Sequence, residues 1–163
     1  MNTRWMTPLL AALVTIGLTA VPASAQTFTL TATLTGAQET PAPGVNTGAF
    51  GNAIVVVNLT TRTVTWTVNV FNLPSGVTAG HIHVGDAGTA GPTVINFTVP
   101  TTASNDFSIT GSAADTTFTL RPDQGIRSAD DMFQALLGGN TYVNVHSAVN
   151  GGGEIRGQLA LKP

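Results

Sequence analysis

Period-two alternation of apolar and polar residues runs through most of the chain. In Thr27–Thr35, Phe28, Leu30, Ala32 and Leu34 alternate with threonines, which predicts a strand with one face buried and one in water. Residues 36–48, carrying Pro41, Pro43 and Gly44, read as a loop. Residues 53–59 and Thr63–Phe71 predict a hairpin turning at Thr60-Thr61-Arg62. In its second strand Val64, Trp66, Val68 and Val70 share the face that belongs in a core. The turn Asn72-Leu73-Pro74-Ser75-Gly76 leads into a strand over Val77–Val84, then into a second glycine-rich loop over 85–92. Strands are expected around 93–99, 107–110 and 116–120. One helix is expected over Ala129–Leu137, with Ser128 as N-cap, Asp130 and Asp131 in the first turn, and Gly138 ending it. Strands over 141–148 and 154–161, joined by Asn150-Gly151-Gly152-Gly153, complete the chain. Many short strands with little helix predict an all-β fold, an antiparallel β-sandwich or Greek-key barrel with one short helix. Neither a repeat nor a linker divides it, so one domain is expected.

Residues 1–25 read as an export signal peptide. Arg4 gives the positive start, residues 9–21 the apolar stretch, and Ala23-Ser24-Ala25 the small-residue cleavage site. The domain proper is then 26–163, beginning at Gln26, and its expected location is secreted or periplasmic. The apolar stretch is short for a span and no second one follows, so no membrane span is expected after signal removal. The chain has no cysteine, which excludes a lipid anchor on cysteine and means an exported domain held together without disulfides. Loss of Arg4 leaves five of the six basic residues against eight acidic ones. A mildly acidic domain lacks the basic footprint of a nucleic-acid binder, so no nucleic-acid partner is expected. Threonine takes the place of charge on the predicted solvent faces, where its β-branched side chain suits a pleated surface.

All three histidines fall in two strands, Gly80-His81-Ile82-His83-Val84 and Tyr142-Val143-Asn144-Val145-His146. Strand parity puts His81 and His83 on one face and Ile82 and Val84 on the other; it likewise groups Tyr142, Asn144 and His146 opposite Val143 and Val145. With the valines inward, the imidazoles share an outer face expected to be open to solvent. Neutral imidazole suits copper and zinc, and the affinity order ranks copper first, so His81, His83 and His146 are the expected metal ligands and copper the expected cofactor. Without a metal, His81 and His83 would be exposed strand residues or hydrogen-bond the glycine loop, and His146 would cap a turn. Asp86 is a candidate acceptor for the N–H of a ligating histidine, although a glycine-flanked aspartate more often serves a turn. The 85–92 loop lacks the Gly-Lys-Ser/Thr ending of a phosphate loop. Glu154, Arg156 and Gln158 share a strand face; Arg156 would either draw an anion toward the metal or, as the favoured reading, make a cross-strand ion pair that fixes the closing strand. Tyr142 and Asn144 would line a shallow site or be ordinary strand surface. No catalytic residue is assigned: no Gly-x-Ser-x-Gly turn occurs, and Asp130 and Asp131 are helix neighbours that point apart.

The blocks Gly80-His81-Ile82-His83 with Gly85, Gly88, Gly91 and Pro92, then Tyr142-Val143-Asn144-Val145-His146 and Gly153-Glu154-Ile155-Arg156-Gly157-Gln158-Leu159, resemble the CHRD domain. That domain is named for the repeats of the animal protein chordin and is common in exported bacterial proteins. The resemblance spans about Thr27 to Leu161 and implies a β-sandwich-like domain with a poorly defined activity. The order of His-x-His, Gly-Asp, a distant strand-borne histidine and a late arginine is also similar to copper/zinc superoxide dismutase. That second resemblance implies copper ligands at His81, His83 and His146 and an anion guide at Arg156. The sequence departs from it in having no bridging fourth histidine, no zinc ligand set and no disulfide cysteines, so a copper-only site is what the resemblance implies.

Two functions are therefore expected in order: an exported copper-binding domain that holds the metal or uses it for a redox step, and a non-catalytic extracellular module that binds a protein or matrix partner through its sheet surface or loops. Superoxide dismutation ranks last.

Overall fold

The computed structural model describes residues 26–101 and 104–163; the expected export signal, residues 1–25, lies outside them. The strands in chain order are β1 Thr27–Thr35, β2 Phe50–Asn58, β3 Thr63–Phe71, β4 Val77–Val84, β5 Thr93–Asn96, β6 Phe107–Ala114, β7 Thr141–Ser147, β8 Ile155–Gln158 and β9 Ala160–Leu161. The helix α1, Ala129–Leu137, stands between β6 and β7. All nine strands join one antiparallel sheet ordered β5-β4-β7-β8-β1-β2-β3-β6, with β9 beside β1. The sheet is barrel-like and nearly closed, which agrees with the all-β antiparallel class read from the sequence.

A sheet this wide twists, and its apolar face can leave water only by curling onto itself. The alternating positions read from the sequence form that inner face: Leu30 and Leu34 of β1, Val55 and Val57 of β2, and Val64, Trp66, Val68 and Val70 of β3 are all buried. Trp66 carries the closure. Its ring stacks on Phe97, just past β5, at 4.6 Å between centroids, so the two ends of the sheet meet across the core. Gly111 lies opposite Trp66 in the β3–β6 register, and a Cβ there would come 2.5 Å from Trp66 Cζ2, so only glycine lets the indole lie flat across β6.

Helix α1 begins and ends as its sequence predicts. Asp131 N–H donates to the Ser128 hydroxyl at 3.1 Å, and Met132, Phe133 and Leu136 give it a buried face. Arg62, in the β2–β3 turn, pairs with Asp115 and with Asp130 at 2.8 Å and lies over the Phe133 ring, which ties the helix start to the hairpin.

Two expected strands differ. Residues 116–120 form no strand: a 3-10 turn at Asp115–Thr117 takes over, because the Thr117 hydroxyl donates to Ala114 O at 2.7 Å and Phe118 N–H to Asp115 O at 3.3 Å. Short polar side chains offered the backbone local partners in place of a ladder. The strand expected over 154–161 is broken at Leu159, whose side chain turns into the core while its N–H reaches Thr141 O, leaving β8 and β9 separate.

Replacing Trp66 with alanine should lower unfolding free energy by about 3–5 kcal/mol, the range for a buried aromatic. Urea denaturation checks this, and a loss under about 1 kcal/mol would show that the indole does not hold the sheet ends together.

Candidate metal centre

The β4–β7 register sets His81 opposite Asn144, His83 opposite Tyr142 and Ala79 opposite His146, so His146 lies diagonally across from His81. The shared face of the three imidazoles, expected from parity, is therefore realised. One ring nitrogen from each lies within 4.8 Å of the others, and the His81–His83 and His81–His146 ring centroids are 5.3 and 4.9 Å apart. A tetrahedral metal with nitrogen ligands at ~2.0–2.1 Å needs them roughly 3.3 Å apart, so the rings would have to draw closer by up to about 1.5 Å to share one ion.

The orientation of two rings is fixed from behind. His83 Nδ1 lies 2.8 Å from Gly91 O and His146 Nδ1 2.9 Å from Gly151 O. A carbonyl only accepts, so each Nδ1 carries the proton and each Nε2 presents a lone pair, the arrangement that backs metal-ligating histidines. His83 Nε2 is buried with no hydrogen-bond partner. His146 Nε2 accepts from His81 Nδ1–H at 3.1 Å. Coordination at His146 Nε2 would exchange this bond for a metal bond, with His81, the least buried ring, turning or tautomerising to present its own lone pair. Burial pushes the His83 imidazole down to about 4, with the neighbouring His81, His146 and Arg156 adding to the shift. Burial, then His146, also lowers His81. Both rings are thus held neutral, as ligation requires.

The outer face is not open as expected. Every residue of β7 is buried, because the loops at 36–48, 85–92 and 150–153 fold over it. Tyr142 is not strand surface: its ring stacks on His83 at 4.8 Å and 8° and lies under the Arg156 guanidinium at 3.4 Å, while its hydroxyl bonds Gly91 at both N–H and C=O. Arg156 is 2% exposed and makes no cross-strand ion pair; its Nη2 donates to Asp86 O at 2.9 Å. Asp86 stands exposed in its loop, and it is its backbone carbonyl that reaches Arg156. Burial lowers the Arg156 pKa, although the guanidinium stays charged at any ordinary pH.

Glu39, which drew no attention in the sequence, lies in this buried layer. It is 6% exposed, its Oε2 accepts from Asn144 Nδ2 at 3.4 Å, and its Oε1 has no partner. Burial raises its carboxyl to about 7 against the opposing pull of Arg156. One signal was available: Glu39 is the single charged residue between Gln26 and Thr61. Glu154, fully buried, contrasts with it. Burial pushes Glu154 up, but hydrogen bonds from Ser147, Thr47 and Asn150 outweigh it and hold the carboxylate below its ordinary range.

With this geometry established, the family comparison decides what kind of domain carries it. The family model for the CHRD domain matches residues 30–159, most of the described chain. The chain belongs to the CHRD family. No curated protein and no solved structure matches it, so the likeness to superoxide dismutase rests on the residue pattern alone. Both histidine blocks of this CHRD domain lie inside the matched span, as do Glu39 and Arg156.

The raised carboxyl has a consequence for stability. Unfolded Glu39 gives up its proton near 4.5 and folded Glu39 near 7, so the folded state binds more protons between them and loses stability as pH rises through that window. Glu39→Gln should remove that contribution, making the variant gain relative to the parent from pH 4.5 to 7 and stay level above. Thermal melts across that range check this; parallel curves for the two proteins would refute it.

Proposed function

We propose that this protein is an exported CHRD module that binds one metal ion, copper by preference, through His81, His83 and His146. The observation carrying the reading is that one ring nitrogen from each imidazole lies within 4.8 Å of the others, with two rings oriented by backbone carbonyls and His83 Nε2 buried without a partner. Copper ranks above zinc because imidazole donors follow the general affinity order and, among the described residues, no carboxylate or thiolate joins the cluster. Bound there, copper would supply one-electron chemistry or simply be stored. The protein's part is to keep the His81 and His83 imidazoles neutral, orient the His83 and His146 rings through their Nδ1 hydrogen bonds, and limit access to the side where His81 is only partly buried. Arg156 supports the ligand set indirectly in this reading, by packing Tyr142 against His83. CHRD membership and the export-signal reading of residues 1–25 both favour a site outside the cytoplasm; among the described residues no helix is long and apolar enough to cross a membrane.

The alternative, a binding module in which the imidazoles serve the fold, has one observation in its favour. The outer face of β1, β2, β3 and β6 carries threonine, serine and asparagine with no charge, and exposes Phe50 and Ile54. An uncharged matrix polymer or protein surface would suit it.

Titration of the purified protein with Cu(II), followed by EPR, separates the two readings. A single nitrogen-ligated signal saturating at one equivalent is expected, with a His81→Ala, His83→Ala double variant losing at least about a hundredfold in affinity. Equal binding by both proteins would eliminate the metal reading and leave the binding module.

A further inference from the structure

Beside the imidazoles lies a cleft whose chemistry the metal reading does not use. It is a cavity of about 290 Å³ between the loop of Ala37 to Pro43 and the tip Ala87-Gly88, with Arg156 and Gln158 along β8 and Glu39 lining it. That volume suits a small molecule and not a polymer chain.

Its polar groups are complementary to one class of ligand. Arg156 has five N–H donors in a planar fork. Among the described residues its side chain makes one hydrogen bond, Nη2 to Asp86 O, and joins no ion pair although Glu39 is close enough to feel its charge. Gln158 is locked by its amide nitrogen, which donates to Gly85 O at 3.0 Å and Gly139 O at 2.8 Å, so the orientation of its oxygen is fixed. Gln158 Oε1 and Glu39 Oε1 are both buried with no partner. Native folds rarely leave two such buried acceptors unpaired, so a molecule that donates to them while accepting from Arg156 is complementary to the cleft. Ala37, Ala42, Pro43 and Ala87 supply apolar walls.

We propose that this cleft binds a small carboxylic acid that also carries a hydroxyl or amino donor, its carboxylate on Arg156 and its donor on Gln158 and Glu39. An Arg–carboxylate fork fixes the ligand's plane, and the second group then selects among acids of similar size. A neutral sugar would leave Arg156 unmet, and a plain fatty acid would leave both oxygens unmet. The site stands apart from the metal reading, since none of the three imidazoles lines the cleft.

Glu39 adds a pH signature. The groups facing it are Arg156 from β8, Asn144 from β7 and Glu154 ahead of β8, and Glu154 stays ionised because its hydrogen bonds hold it low. Below about pH 7 the Glu39 carboxyl is neutral and an anion meets Arg156 alone; above it the carboxylate opposes the anion.

The test is calorimetric titration of the EDTA-treated protein with glycolate, glycine, acetate and inorganic phosphate. Glycolate or glycine should bind about tenfold more tightly than acetate or phosphate, and glycolate should weaken as pH rises from 6 to 8. Glu39→Gln should flatten that pH profile. Ala87→Phe, which fills the cleft from an exposed loop, should cost at least about tenfold while the melting temperature holds. Acetate or phosphate matching glycolate, full binding by Ala87→Phe, or no heat from any probe at millimolar concentration would each overturn the proposal. Copper binding is read separately, so either site can fail without the other.

Discussion

Everything at the site depends on the register in which β4 lies against β7. With His83 opposite Tyr142 and His81 opposite Asn144, four polar side chains share a face and Ile82, Val143 and Val145 share the core face. The side-chain period of a strand is two, so a slip by one residue would drive the imidazoles into the apolar interior and expose the valines. No intermediate register exists, and the cost of the wrong one is several buried polar groups without partners. The β8 register extends the same rule: Arg156 falls opposite Asn144 and Gln158 opposite Tyr142, so the cleft and the imidazoles are continuous rows of one pleated surface.

A polar sheet face is ordinarily left to water, yet here loops cover it, and two glycines make that approach feasible. At Gly91 a Cβ would lie 1.7 Å from Val84 O, so any side chain would push away the strand of loop whose carbonyl holds His83. Gly153 has φ of 138°, and a Cβ there would meet both Glu39 carboxylate oxygens and Asn144 Nδ2 at 2.7 Å. These close contacts strip water from Glu39, His83 and Arg156 together, which is why burial is the leading cause of each of their shifts. Glu154 escapes because three donors replace the water it lost.

Local periodicity made part of the fold and site legible in the sequence. Alternation marked the bounds of Thr27–Thr35 and Val77–Val84, the N-cap at Ser128 marked the helix, and parity brought His81, His83 and His146 to one face. The features that stayed hidden depend on contacts far apart in the chain. Glu39 meets Asn144 across 105 positions, and no residue near either predicts the other. The outer face was expected to be wet because the strands alternate as half-buried strands do; that loops would seal it is a property of where β1, β7 and β8 come together. Arg156 looked like an ion-pair residue because charge was visible in the sequence and the Tyr142 ring beneath it was not.

The CHRD signature itself leaves two roles open for the histidines, serving the fold or serving a metal, and the two make different demands on nitrogen. A structural imidazole needs both of its ring nitrogens satisfied within the protein. His146 meets that demand, with Nδ1 on Gly151 O and Nε2 against His81. His83 does not: its Nδ1 is on Gly91 O while its Nε2 is buried and unmatched, at a cost of about 1–3 kcal/mol for an unpaired buried acceptor. Phenylalanine at 83 would keep a ring against Tyr142 and leave no buried lone pair, but it would give up the hydrogen bond to Gly91 O, which the Tyr142 hydroxyl would then hold alone. The neutral His83 ring, one of three whose nitrogens lie close enough that the cluster could hold a metal ion, thus carries a lone pair that packing does not use.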